Sequence, residues 1–407
     1  MPKVRNAPYW LDRSPINRRP TYPVYRGDSG TRVVIVGGGL IGCACALSFA
    51  AAGIQTMLLE GERVGGGAMA GGAGLTLGEF DASFQETAAH HGMRAARILW
   101  QGMRRASLDL SAVLRRMKVR CDLEVEDVVW IARHDDGVRR LRKEQQARKE
   151  AGLDQSWLTR TAVRRATGTE ADGGLRSRGA SLDPYRAAIG LAAAAAERGA
   201  LIFERSAVRR VRAGRKRAEV VTANGRVEAD AVVIATDAPI LDLKALRRHL
   251  KAEHAYGVVT APLVATIRRE VGPRDAALRD SNVPPHLLRW LKDDRVFFLG
   301  GDQAPVAERL RSKVLVQRTG QLMYELSTLY PAVSGTQAEW AWDVTRHRTS
   351  DGLPYFGAHR NFPRHLFALG GAVHGPGAAW LAARVLVRLF QQDPVKGDEL
   401  FGFSRIL

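Results

Sequence analysis

One stretch constrains the fold more than any other: Val33 to Gly53, which reads VVIVGGGLIGCACALSFAAAG. Four β-branched residues, Val33 to Val36, run straight into Gly37, Gly39 and Gly42, and an Ala/Leu-rich segment follows. That order predicts a strand, a tight turn and a helix. Gly37 permits the turn, Gly39 lets backbone come close to a pyrophosphate, and Gly42 lets the helix pack against the strand. Leu40 and Ile41 open the helix, where free N–H groups and the positive dipole end favour phosphate. A second strand, Thr56 to Leu59, ends in Glu60, the place where an adenosine ribose needs a hydroxyl acceptor. The run is long and apolar enough to raise a membrane span. Three consecutive glycines, the β-branched start and the acid after a second strand argue instead for a dinucleotide site. At this stage NAD and FAD are equally allowed.

A chain of 407 residues predicts two domains or one large discontinuous unit. Cys43, Cys45 and Cys121 give neither a disulfide framework nor a metal-ligand spacing, so a reduced, intracellular protein without metal is expected. The net charge of +19 reads either as an acidic partner, such as RNA or an anionic membrane, or as an arginine-rich solvated surface. The arginines are spread along the chain and no block alternates basic with aromatic residues, which favours the surface and makes a nucleic-acid partner unexpected. Residues 1–31 hold Tyr9, Trp10, Tyr22 and Tyr25 but no apolar core segment. An arm that packs its aromatics on the body, or a loose tail, is expected rather than a signal peptide. The expected protein is cytoplasmic, with no transmembrane segment.

Along the rest of the chain, Gly61 to Gly74 concentrates glycine in one loop, including Gly65, Gly66, Gly67, Gly71 and Gly74 around Ala68. So much backbone freedom implies close passage past a bulky planar ligand. Residues 84–118 read as helices, Cys121 to Ala132 as a strand, and Arg133 to Lys149 as a basic helix with a solvated face. Trp157 to Thr159 reads as a helical turn, Ala187 to Arg198 as a helix, and Leu201 to Glu204 and Ser206 to Val211 as strands. Asn224-Gly225 marks a hairpin, and Ala231 to Thr236, with Ala235, reads as a buried parallel strand. Tyr256 to Leu263 and Arg295 to Gly301 read as strands of a second sheet. Leu366 to Leu369 meets a turn at Gly370-Gly371, and His374, Gly375 and Gly377 precede a helix from Ala378 to Phe390.

These motifs resemble the FAD-dependent D-amino-acid oxidase superfamily, the group of glycine oxidase, sarcosine oxidase and D-amino-acid dehydrogenase. Arg63-Val64-Gly65-Gly66 matches the family's Arg-x-Gly-Gly after the acid. Thr349, Asp351-Gly352, Leu353-Pro354 and Gly357 match its later motif, and His374-Gly375 its Gly-His-Gly turn. One segment and two single positions depart: Ala70 to Gly74 stands for Ser-Gly-Arg-Asn-Ala-Gly, Asp237 for a glycine, and Phe298 for a lysine found in sarcosine-oxidase-like members. The resemblance implies an α/β fold, with a doubly wound, Rossmann-type FAD-binding domain and an inserted mixed-β-sheet substrate domain. Residues 32–118, 160–240 and 331–407 would form the first, and 119–159 and 241–330 the second. It further implies FAD, contacted by Gly37, Gly39, Leu40, Ile41, Gly42, Glu60, Arg63, Gly66, Gly67, Ala68, Gly71 and Gly74; the loop from Gly65 to Gly74 has neither histidine nor cysteine, so the FAD is expected to be non-covalent. Val208 would meet adenine through its backbone, with Ala235, Gly371, His374, Gly375 and Gly377 completing the set. Amides at the last helix start would stabilise the negative charge of a reduced flavin.

The implied reaction is oxidation of the C–N bond of an amino acid or secondary amine by hydride transfer to flavin. Oxygen, a quinone or an electron-transfer flavoprotein would accept the electrons. His374, Arg348 and Tyr256 are the candidate catalytic residues, Arg348 and Arg346 as carboxylate clamps and Tyr256 as a cap. Two alternatives remain at this stage: a flavoenzyme acting on an aminomethyl group of tRNA, and a non-catalytic assembly protein that keeps the flavin fold.

Overall fold

The computed structural model describes residues 4–15, 19–153, 155–214 and 216–405; parts of the expected arm, residues 1–3 and 16–18, lie outside them. Two sheets organise the chain. The first has eight strands, with Tyr355–His359, Phe362–Leu369, Gly225–Asp237, Gly27–Val36, Thr56–Leu59 and Leu201–Phe203 side by side. The inner pairings are parallel, in register Val33 to Thr56 on one flank and Val33 to Ala231 on the other. Antiparallel hairpins finish its edges. Val33 to Val36 are buried on both faces, as a covered parallel strand requires.

Helices Leu40–Ala51, Met93–Arg116, Pro184–Ala196 and Pro376–Gln391 stack over one face of this sheet. Cys43 and Cys45 are buried in that layer as small apolar residues. The second sheet has nine strands of mixed direction, with Ala338–Arg348, Lys251–Thr260, Val296–Gln303, Leu287–Trp290, Ala276–Asp280, Glu124–Ala132, Gly173–Ser181 and Leu75–Thr76 in order. The α/β architecture with a doubly wound sheet and a mixed sheet is therefore present. Gly173–Ser181 and Ala338–Arg348, expected with the first unit, contribute strands to the second sheet. Among the described residues no helix is long and apolar enough to cross a membrane.

Local expectations are corrected in three places. Trp157 to Thr159 lies in a strand, Ser156–Thr159, and the helix starts at Arg160 because the Thr159 hydroxyl caps the Ala162 amide. The expected strand Ser206 to Val211 is instead Arg210–Ala213, which leaves Val208 outside it. The basic helix, Asp135–Glu150, is not wholly solvated. Arg148 is buried, paired with Glu79 and Glu144 and lying over the Trp100 ring. A guanidinium enters a core only with such partners.

The arm does pack on the body. Arg5 bridges to Trp340, a short helix spans Tyr9–Asp12, and Tyr9, Trp10 and Tyr25 are buried.

Candidate functional site

The parallel strands converge on their C-terminal ends, where a doubly wound sheet binds its ligands. Gly37 follows the first strand with φ +103°, a conformation that costs glycine little. A Cβ on Gly42 would lie 1.8 Å from the Gly37 carbonyl oxygen, so the helix can approach the turn only with glycine there. Glu60 turns back toward the loop: its carboxylate accepts the Gly38 amide at 2.5 Å and the Glu62 amide at 2.8 Å. Gly39 and Gly67 face each other across a gap that a Cβ on Gly67 would narrow to 3.1 Å from the Gly39 Cα.

Around them opens a cleft of about 260 Å³ lined by Gly37, Gly39, Leu40, Ile41, Glu60, Arg63, Gly66, Gly67, Ala68 and Ala235. Ten expected cofactor residues thus share one wall. Asp237, Thr345, His347 and Ala372 line it too. Asp237 keeps the left-handed backbone (φ +62°) that glycine would adopt, which an aspartate tolerates better than most residues. Its carboxylate accepts the Ala372 amide at 2.9 Å and faces His347 Nδ1 at 3.0 Å. The substitution for glycine therefore preserves the bend and ties it to the last turn.

Met69 and Ala372 are shared with a second cavity of about 90 Å³, which also touches Gly72 to Leu75, Glu79 to Asp81, Arg279, Arg346, Arg348 and His374 to Pro376. This in turn shares Asp81, Arg279, Arg348 and His374 with an outer cavity of about 730 Å³. Three linked spaces run from the glycine turn to the mixed sheet.

At their junction Asp81 is a hub. Its amide donates to His374 Nδ1 at 3.0 Å, its carbonyl accepts from Arg279 Nη2 at 2.9 Å, and its carboxylate pairs with Arg348. Because His374 Nδ1 accepts, the neutral ring carries its proton on Nε2. Burial, reinforced by Arg348 and Arg405, pulls the imidazole down to about 3. His374 is therefore a neutral donor over the working pH range and holds no proton charge to exchange.

The expected carboxylate clamps are already engaged. Arg348 meets Asp81, Glu253 at 2.7 Å and Asp302 at 3.0 Å, and Arg346 pairs with Asp302. Arg279 differs. It lines both inner and outer cavities, lies 4.6 Å over the Trp130 ring, and pairs with no carboxylate among the described residues. Its Nε is buried without a hydrogen-bond partner, and burial pulls the guanidinium below its ordinary value. Glu79, Glu144 and Glu86 act on it only from a distance; a desolvated cation with no carboxylate in direct contact is costly, and this one lines open space. Spacing gave no signal for Arg279, Asp81 or Asp302.

Other expected residues fall outside these spaces. Tyr256 is buried in the mixed-sheet core, its hydroxyl accepting from Gln303 at 2.7 Å, so it does not cap the cavity. Val208 packs under the first sheet. Gly42, Gly71, Gly371 and Gly377 serve close packing instead: a Cβ on Gly71, Gly371 or Gly377 would crowd Val344, Ile41 or Ser107. Gly74 and Gly375 line the second cavity with positive φ. Phe298 is buried and stacks on His286, facing away from the cavity that Gly300 lines.

A helix start with open amides, an acid at the second strand and a glycine cradle fit the pyrophosphate and ribose of FAD, and the adjoining cavity fits its ring side. The chain belongs to the FAD dependent oxidoreductase (DAO) family, whose sequence profile matches residues 32–389; it is an FAD-dependent oxidoreductase. It is 26% identical to gamma-glutamylputrescine oxidoreductase of Escherichia coli over 372 residues, 90% of this chain and 85% of that one. Among solved structures it resembles glycine oxidase from Geobacillus kaustophilus (TM-score 0.76, 20% identity, 93% of this chain and 99% of that one). It also resembles L-proline dehydrogenase from P. horikoshii (TM-score 0.74, 17% identity, 93% and 97%).

Proposed function

We propose that the protein oxidises the C–N bond of an amino acid or secondary amine that carries a carboxylate. The observation that carries this reading is Arg279, a half-buried guanidinium that forms no salt bridge among the described residues and lines both the small cavity and the outer one. FAD, when bound, supplies the two-electron acceptor for the substrate's hydride. The chain's residues do the rest. Arg279 takes the substrate carboxylate and fixes the α-carbon at the small cavity. Asp81 holds Arg279 and His374 in one frame. His374 Nε2–H donates toward the reacting centre without taking a proton. The substrate enters with its nitrogen neutral, loses hydride from carbon, and leaves as an iminium that water hydrolyses to a carbonyl and an amine. The relatives' names, which include an oxidoreductase of a glutamylated amine and an oxidase of glycine, agree with this substrate class.

Anaerobic reduction tests it with matched pairs, each an N-substituted amino acid and its decarboxylated amine. The acid of a pair should reduce the enzyme. Arg279→Met should raise its half-saturating concentration roughly 30-fold or more, the scale of a lost charge-assisted pair, without affecting the amine. Equal weakening of both would contradict the assignment. Reoxidation of the reduced enzyme by air, or only by added quinone, then identifies the acceptor.

A further inference from the structure

We propose that Trp10 is a positioning residue for FAD. From ahead of the first strand, it holds the Gly71–Gly74 loop so that backbone amides of that loop face the cofactor cavity.

The loop Ala70-Gly71-Gly72-Ala73-Gly74 has no polar side chain; a 3-10 turn over Ala68–Gly71 and the Gly72 amide bonded to the Met69 oxygen at 3.0 Å fix its first peptides, and those after Gly72 have no such bond within the loop among the described residues. Its carbonyls are instead held from outside, one after another. Trp342 Nε1 donates to the Gly71 oxygen at 3.1 Å, and Trp10 Nε1 to the Gly72 oxygen at 2.9 Å. Arg289 Nη1 donates to the Ala73 oxygen at 3.1 Å, and the Leu182 amide to the Gly74 oxygen at 2.9 Å. A trans peptide is planar, with its C=O and the following N–H pointing in opposite directions. Holding the Gly72 and Ala73 oxygens against the protein therefore turns the Ala73 and Gly74 N–H groups the other way. Gly72, Ala73 and Gly74 line the small cavity. Among the described residues no acceptor takes the Ala73 or Gly74 amide hydrogen. Two donors in this direction form an anion-stabilising pair of the kind used for developing negative charge.

The donors share one support. Phe297 stacks on Trp10 (5.8 Å between centroids) and leans on Trp342 (5.2 Å), and Arg289 lies 5.2 Å over Trp10. Trp10 itself is buried, and its helix is tethered by Trp340 Nε1 donating to Asp12 at 2.9 Å. Removing the Trp340 tether takes away one bond of several: Arg5 still pairs with Asp12 at 3.0 Å and bonds the backbone of Glu339 and Ala341, and Arg19 holds the Leu11 and Ser14 carbonyls, so Trp10 keeps its place on the loop.

FAD titration of the full chain freed of cofactor reads this without turnover and independently of the substrate. Trp10→Phe keeps the aromatic packing and removes the N–H. It should raise the FAD dissociation constant about tenfold, the scale of one lost hydrogen bond and the order it imposes, and shift the visible absorption of the bound flavin. Trp342→Phe should act in the same direction. Trp340→Phe should leave both readouts within twofold of wild type. Far-UV circular dichroism and urea midpoints of the apoproteins verify folding. Wild-type affinity and spectrum in Trp10→Phe would overturn the proposal. So would an equal loss in Trp340→Phe, since docking of the arm, not the indole N–H, would then be what matters.

Discussion

At the scale of single residues, charge placement around His374 separates this site from a simple acid–base dyad. The imidazole stays neutral because burial and two nearby guanidinium groups oppose its charge, and its lowered value of about 3 puts titration below working pH. The sign is fixed by that direction: above about pH 4 His374 does not gain or lose a proton. The rate of substrate-driven reduction should therefore rise with pH only as the substrate amine loses its own proton. His374→Gln should lower the limiting rate, by about tenfold for one lost donor, yet leave the midpoint of the pH profile unchanged. A midpoint near 6.5 that vanishes in the variant would show that the histidine titrates. The turn residues at Gly37 and Gly42 were legible in sequence because sterics leave few alternatives at a strand–turn–helix junction. Arg279 and Asp81 were not, since their roles depend on which charges other strands bring beside them.

At the scale of elements, the mixed sheet is fastened to the helix Glu308–Leu329 by His286. This ring stands between Asp280 at 2.7 Å and Glu325 at 2.9 Å and stacks on Phe298. Burial opposes its charge, but hydrogen bonds to the two carboxylates outweigh that and raise the histidine to about 9. A histidine raised in the folded state contributes its stability fully below its ordinary value of 6.5 and loses it as pH climbs through 9. Unfolding free energy should fall by up to about 3 kcal/mol over that window, and His286→Phe should flatten the loss. Urea titrations at a series of pH values read both; a wild-type curve flat from pH 6.5 to 9 would contradict the pairing. Periodicity revealed the helices and the long strands, but it could not show that Arg148 on a basic helix turns inward. That inversion depends on Glu79, 69 residues away in sequence.

At the scale of the whole molecule, a glycine cleft, a small cavity and a large outer cavity adjoin one another through shared lining residues. The cleft end was readable from Val33–Gly53, because phosphate binding needs backbone and backbone needs glycine. The outer end was not, because Arg346 and Arg348 look like free clamps until Asp81, Glu253 and Asp302 arrive from three separate segments. The central claim is an FAD enzyme that draws hydride from an amine held by its carboxylate. The direct measurement is the visible spectrum of the purified protein, recorded anaerobically before and after addition of a panel of amino acids, N-substituted amino acids and simple amines. The account predicts bound FAD bleached by a member of the panel that carries a carboxylate beside its nitrogen. FAD that no such compound bleaches, while a simple amine does, would contradict it.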